Sequence, residues 1–370
     1  MLELHLAALG ATVISTTAAA ASGALAANGG SGSLIFLIAT ILVGLTFDFT
    51  NGFHDTANAV ATSISTRVLS PRFAIGMAAL LNFLGAAVSL FFGAQVAKTI
   101  GTDVAAQTAL TEVAVMAALL AAISWNLLTW YYGLPSSSSH ALIGGLIGAA
   151  VVQSAAHFSA LKMAGIVKIV LSLILSPVVG LIVAYLVSAV VHWSFRNTTP
   201  RRATDVSSWM QRVSAAFVAF SHGSNDAQKT MAVIAAAVIS YEGRSVNTQF
   251  HVDWWIIVIC ATAMALGTSF GGWRIIQTMG MRIVKLRPID GFSAEATSAA
   301  VIVTASQFGL PVSTTHVIAG SVMGVGARHR MGAVRWGVAG DMVVAWVLTG
   351  PITAVISAVL CALLLTLGVR

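Results

Sequence analysis

Of 370 residues, 57% are hydrophobic and only 8% are charged, with a mean hydropathy of +0.89. A water-soluble domain carries about 25% charged residues, so this chain cannot cover a water-facing surface and reads as an integral membrane protein. The net charge of +7 does not make it a nucleic-acid binder, because its basic residues are scattered in short loops, as membrane orientation signals are.

Residues 1–33 form an Ala-rich segment without Lys or Arg. A cleaved secretory signal needs a basic start and fits poorly. Residues 7–27 are left open as a peripheral or an extra membrane helix. Leu34 then opens an apolar segment that runs to about Phe49. The polar stretch Asn51-Gly52-Phe53-His54-Asp55-Thr56-Ala57-Asn58 interrupts it, and an apolar-periodic piece continues to Thr66. The pattern predicts a broken helix there.

A full helix is predicted over 73–97, followed by a loop with Lys98, Asp103 and Glu112. A segment over 113–132 leads into Gly133-Leu134-Pro135-Ser136-Ser137-Ser138-Ser139-His140 and a small-residue helix to about Gln153. Residues 163–193 are apolar with Pro177 near the middle. Residues 194–212 are polar and basic, and serve as the boundary between two halves, 34–193 and 213–370.

The second half repeats the order. A segment from about Ser214 is interrupted at His222-Gly223-Ser224-Asn225-Asp226-Ala227-Gln228-Lys229. Residues 254–279 are predicted as one helix, and 292–308 lead into Gly309-Leu310-Pro311-Val312-Ser313-Thr314-Thr315-His316. The last apolar stretch carries Pro351. Asp55 with Asp226, the two Gly-Leu-Pro turns, and Pro177 with Pro351 pair in order at nearly constant separation, which marks an internal duplication.

Basic residues concentrate in loops 67–72, 194–212, 282–287 and 328–335, which places these loops inside. The remaining loops then close only if 113–153 and 292–326 are hairpins that enter and leave on one side. Each half has three crossings and one hairpin, and the odd number inverts the second half. The expected fold is an all-α polytopic membrane protein of two inverted-topology repeats, each with a broken helix and a re-entrant-type hairpin, the architecture of secondary transporters.

Asp55 and Asp226 carry the chemistry. A carboxylate at the bilayer centre is costly and marks function, although Asp is also a good N-cap. Asn58 lies one turn beyond Asp55. Backbone carbonyls freed by a broken helix suit a hard cation, and a buried Asp alternatively carries a proton. At the hairpin tips, Pro135 and Pro311 are suited to begin helices. Ser136, Ser137, Ser138 and Ser139, with Ser313, Thr314 and Thr315, then crowd first turns whose free N–H groups favour an oxyanion. Lys229 either balances Asp226 or contacts the anion, and Gln228 offers a neutral donor. His54 and His222 are candidates for proton coupling. His140 and His316 are assigned to helix packing. Cys260 and Cys361 lie in apolar segments and read as small buried hydrophobes. No resident metal site is expected.

The stretches 51–59, 221–229, 133–140 and 309–316 resemble the inorganic phosphate transporter (PiT) family, and the form Asn-Gly-Phe-His-Asp resembles its bacterial low-affinity permeases. The resemblance runs from about Leu34 to the C-terminus. It implies import of phosphate, or of a metal–phosphate complex, by symport with H⁺ or Na⁺ across the plasma (inner) membrane. The central linker would be cytoplasmic, no cofactor is needed, and a homodimer is left open. It also assigns Asn51, Asp55, Asn58, Asn225 and Asp226 to the coupling cation, and the Ser and Thr tips with Gln228 to phosphate. His54 departs from an Asn-Asp pair common in the family, so sodium sites do not carry over symmetrically. The rival readings are a sulfate permease of the same fold, a divalent-metal transporter using the histidines, and, least supported, an intramembrane hydrolase.

Overall fold

In the computed structural model, residues 34–154, 158–243 and 250–369 are described; the segment 7–27 lies outside them. Twelve helices of the described residues organise the chain. α1 (Leu34–Ser65), α2 (Pro71–Ala87, prolonged by Ser89–Phe92), α3 (Gln95–Asp103), α4 (Glu112–Tyr132), α5 (Ser138–Gln153) and α6 (Met163–Phe195) come from the first half. α7 (Pro200–Tyr241), α8 (Trp254–Phe270), α9 (Trp273–Gln277), α10 (Pro288–Gln307), α11 (Thr314–His329) and α12 (Trp336–Thr366) come from the second. Among the described residues, five helices are long and apolar enough to cross a membrane, six if α8 and the segment Trp273–Arg282 count as one bent span.

Both halves run through the same elements. Each has a long motif helix (α1, α7), a span ending at a glycine, a short continuation, a hairpin, and a Pro-containing helix. The predicted single helices over 73–97 and 254–279 both break, at Gly93 and Gly271. Each of these glycines adopts a left-handed φ, +78° and +67°, which ends a helix at little steric cost only for glycine. The bend at the second break is 64°. The hairpin turns match too. Gly133 and Gly309 sit at φ +65° and +64°, and Leu134 N–H and Leu310 N–H reach back to Thr129 and Ala305 carbonyls at 2.9 Å. This is the Schellman closure that satisfies the last carbonyls of a helix.

One expectation about the motif helices is overturned. α1 and α7 run without interruption through 51–58 and 222–229. The polar side chains do not unwind the backbone, and groups of neighbouring helices and of the hairpin tips take up part of their hydrogen bonding. The glycines of the motifs serve close approach instead. A Cβ on Gly52 would lie 2.2 Å from the Met264 carbonyl oxygen of α8, and one on Gly223 the same distance from the Asn82 carbonyl oxygen of α2. The basic boundary also differs: Pro200 opens α7, so 200–212 are its first turns and not a separate linker.

The packing exchanges the halves. α5 lies against α12 of the other half, with a Cβ on Gly148 coming within 2.0 Å of the Ala354 carbonyl oxygen. Its mirror, α11 against α6, places Gly324 within 2.1 Å of the Leu181 carbonyl oxygen. Likewise α8 packs on α1 and α2 on α7. The packing groups α1, α4, α5, α8, α9 and α12 on one side and α2, α3, α6, α7, α10 and α11 on the other, with extensive α8–α2 and α1–α7 contacts joining the two bundles. Small residues at these crossings let backbones touch where lipid supplies no hydrophobic drive. α6 and α12 turn Leu171, Ile174, Leu175, Leu186, Val347 and Val355 outward, which fits a lipid-facing wall.

The apolar core is divided along the helix axes. One cluster holds Phe47, Ile100, Leu119, Leu142, Met231 and Ile234. A second holds Val60, Ile64, Val218, Ile276, Ile302 and Val317, and a small third gathers Val113, Ala149 and Cys361. The polar stretches of α1 and α7 lie between the first two.

Candidate functional site

α1 presents Asp48, Asn51, Asp55 and Asn58 at intervals of three and four, one face of a helix. All four are buried. α7 crosses α1 and contributes His222, Asn225, Asp226 and Lys229, also buried. The two hairpin tips close on this polar belt. Carboxylate and imidazole atoms of Asp55, His222 and Asp226 lie within 4.8 Å of one another.

The tips begin later than their prolines imply. α5 starts at Ser138 and α11 at Thr314, each capped by the residue before it. Ser137 Oγ accepts from His140 N–H at 3.2 Å, and Ser313 Oγ accepts from His316 N–H at 3.3 Å. This is ordinary N-capping. Pro135 is left outside the helix, where its carbonyl accepts from Trp346 Nε1 at 2.9 Å.

The other tip hydroxyls face the acids. Ser138 Oγ donates to Asp55 Oδ2 at 3.4 Å, and Thr314 Oγ1 donates to Asp226 Oδ2 at 2.9 Å. Asn58 Nδ2 donates to Thr315 Oγ1 at 2.9 Å. Ser136 Oγ donates to Thr129 Oγ1 at 2.8 Å and lies 3.4 Å from His54 Nε2.

The two aspartates have different partners. His54 Nδ1 lies 2.6 Å from Asp55 Oδ1, while its Nε2 meets Thr129 Oγ1 at 3.1 Å. Asp226 is bound by the Lys229 ammonium, which also reaches Ser139 Oγ at 2.5 Å and the Val312 carbonyl at 3.0 Å. Lys229 is therefore a fixed internal counterion that touches both tips. His222 Nε2 sits 3.2 Å from Asp226 Oδ2 without hydrogen-bond alignment, and its Nδ1 lies 3.2 Å from Asn82 Oδ1.

Gln228 does not join the site. Its Oε1 accepts from Val96 N–H at 2.9 Å and Ala97 N–H at 3.4 Å, and its Nε2 donates to the Ser224 carbonyl. It caps the start of α3. Asn225 Nδ2 donates to Ser306 Oγ at 2.6 Å. The carbonyl oxygens of Asn51, Asn58 and Asn225 have no hydrogen-bond partner although buried. Buried amide oxygens without donors suit a cation. His140 and His316 stack with ring centroids 4.7 Å apart, and His316 stacks on Trp346 at 4.0 Å. Cys260 and Cys361 are free and buried.

Sequence reasoning passed over three buried polar residues, in or beyond the site. Asp48 accepts from Thr230 Oγ1 at 2.9 Å, and its other oxygen is unpartnered. Its position two turns before Asp55 on the same face was the available signal. Thr129 carried no signal of its own. Glu295, buried on α10, accepts from Thr62 at 2.5 Å, Ser214 at 2.6 Å and Gln211 at 3.1 Å; as an acid inside a hairpin arm it was legible as a polar anchor.

Fold and site together define a polytopic helical membrane protein with buried acids facing hydroxyl-rich hairpin tips, the build of an ion-coupled transporter. Residues 51–357 match the phosphate transporter family, and the chain belongs to that family. A "probable low-affinity inorganic phosphate transporter" of Rhizobium meliloti (strain 1021) is 47% identical over 322 residues, 87% of this chain and 94% of that protein. One of the same name from Bacillus subtilis (strain 168) is 48% identical over 331 residues, 88% and 97% of the two chains. A solved structure described as "the sodium-dependent phosphate transporter" superposes with a TM-score of 0.83 at 25% identity, covering 90% of this chain and all of that one.

Proposed function

We propose that the protein is a secondary active symporter that imports inorganic phosphate with protons. The observation that carries this is the convergence of Asp55 and Asp226 with the Ser and Thr of both tips. Three buried carboxylates, Asp48, Asp55 and Asp226, face one ammonium, Lys229. A phosphate anion entering that field needs accompanying positive charge, which makes cation coupling an electrostatic requirement.

In this reading Ser138, Ser139, Thr314 and Thr315 hold the phosphate, and Lys229 contacts it between the tips. Asp226 is already neutralised by Lys229. Asp55, hydrogen-bonded to His54, is left to bind the coupling proton. The two bundles, each drawn from both halves, move against each other around the site. The repeats are inverted, the membrane is the plasma membrane, and the start of α7 with loops 67–72, 282–287 and 328–335 faces the cytoplasm, as their basic residues favour.

Sodium coupling is the second reading. The unpartnered amide oxygens of Asn51, Asn58 and Asn225 favour it, as does the name of the superposable structure. A metal–phosphate substrate would draw on Asp55, His222 and Asp226. The test is phosphate uptake into proteoliposomes with proton and sodium gradients imposed separately and sulfate as competitor. Uptake driven by the proton gradient alone is expected. A response to sodium alone overturns the proton assignment, and absence of phosphate uptake overturns the whole reading.

A further inference from the structure

Away from the central site, α6, α10 and α11 bring together His192, Asp290 and His329. His192 lies in the last turn of α6, Asp290 in the first turn of α10, and His329 ends α11. Their ligand-type atoms lie within 4.8 Å of one another. His192 Nε2 is 3.4 Å and His329 Nε2 is 2.8 Å from the same oxygen, Asp290 Oδ1. The two imidazole rings meet edge to face at 5.2 Å.

We propose that this cluster is a binding site for a divalent transition metal of the zinc class, held by His192 Nε2, Asp290 Oδ1 and His329 Nε2. Ligand bonds of about 2.0–2.1 Å at tetrahedral angles put donor atoms about 3.3 Å apart. The observed separations of 3.4 and 2.8 Å bracket that value.

The outer contacts are those of metal ligands. His192 Nδ1 lies 2.8 Å from the Ser188 carbonyl oxygen, so Nδ1 carries the proton and donates. In the neutral ring Nε2 then points a lone pair at the Asp290 carboxylate, a repulsive contact unless a cation lies between them. Nδ1–H held by a carbonyl is the usual orienting bond of a ligating histidine. The second oxygen of Asp290 accepts from the Arg287 N–H at 3.1 Å, which caps α10 and aims Oδ1 at the two rings. Arg328 lies near enough to His192 for their charges to interact. That positive charge repels any bound cation, so the imidazole and carboxylate bonds must outweigh it, which a metal with strong imidazole affinity does best. His329 is partly exposed, so the site is reachable from solvent and keeps a fourth position open.

The site would bind α6, from the first half of the chain, to the hairpin of the second half. It lies at the end of the same α6–α11 crossing that Gly320 and Gly324 pack so closely. A metal there would hold the hairpin base while its tip works at the central site.

The test uses the full chain, purified on an affinity tag without histidine and placed in nanodiscs in phosphate-free buffer. Zinc binding is read by equilibrium dialysis and elemental analysis, and unfolding temperature is followed with zinc and with chelator. One tightly held zinc per chain is expected, weakened about tenfold or more in His192→Ala and in the milder, partly exposed His329→Gln. Zinc should raise the unfolding temperature of the parent chain and not of these variants, which should match it in chelator. His222→Gln, which alters the central pocket, should retain the zinc. No binding by the parent chain overturns the proposal, as does equal binding by the variants or loss of binding in His222→Gln. No transport is measured, so the outcome is independent of the phosphate reading.

Discussion

The Lys229 ammonium stands 2.5 Å from Ser139 Oγ, joining the motif helix of the second half to the hairpin tip of the first. The same ammonium holds Asp226 and the Val312 carbonyl of the other tip. One buried cation thus ties both tips to one acid.

Lys229→Met leaves the Asp226 carboxylate buried without its partner. Breaking a buried pair on one side costs about 3–5 kcal/mol. The variant is expected to unfold at lower temperature and to lose phosphate uptake. Lys229→Met with Asp226→Asn is expected to regain stability without regaining uptake. Thermal unfolding beside proteoliposome uptake decides this, and a double variant as unstable as the single would exclude the pair as the cause.

Ser139→Ala removes a hydroxyl that faces the only cation of the pocket among the described residues. Hydrogen bonds to charged groups contribute about 1.5–3 kcal/mol. The half-saturating phosphate concentration is expected to rise about tenfold or more, and loss of the bond to Lys229 is expected to lower the unfolding temperature as well. An unchanged uptake curve would remove Ser139 from the substrate contacts.

Asp55→Asn takes away the acid paired with His54 while keeping its shape. Proton-driven accumulation of phosphate is expected to stop. Exchange of labelled for unlabelled phosphate, which needs no net proton movement, is expected to survive in part. Full proton-driven accumulation by the variant would move the coupling step to Asp48 or Asp226.

Gly148→Ala and Gly324→Ala test the mirrored crossings. Each new methyl would press on a carbonyl oxygen, at 2.0 Å from Ala354 and 2.1 Å from Leu181. Overpacking of this kind costs about 1–3 kcal/mol. Both should lower the unfolding temperature, whereas Gly76→Ala and Gly340→Ala, with nothing within 4 Å, should not.

Much of the candidate site was legible because its residues break a pattern. Asp55 and Asp226 are acids in apolar runs, and the Ser and Thr tips follow Gly-Leu-Pro turns that recur. Gln228 was misplaced because an amide beside a charged motif looks like a ligand, while its actual partners, the first N–H groups of α3, lie far away in the chain. The predicted helix breaks at the motifs failed for a related reason. Local propensity counts glycine and polar residues as breakers, yet neighbouring helices paired with many of the side chains and used the glycines for contact.

By itself the sequence determined the membrane class, the order of helices, the duplication and the residue types of the polar belt, since each follows from composition and spacing. Only the tertiary structure decided how these parts are shared. It exchanged the hairpins and second spans between halves, because the glycine faces of α5 and α11 find their carbonyl surfaces on α12 and α6. It also carried Lys229 of α7 onto both hairpin tips, Ser139 of the first half and the Val312 carbonyl of the second. The partners His54 for Asp55 and Lys229 for Asp226 are neighbours along the chain, whereas the reach of one ammonium to two tips depends on which side chains meet across helices, and no local pattern in the chain encodes it.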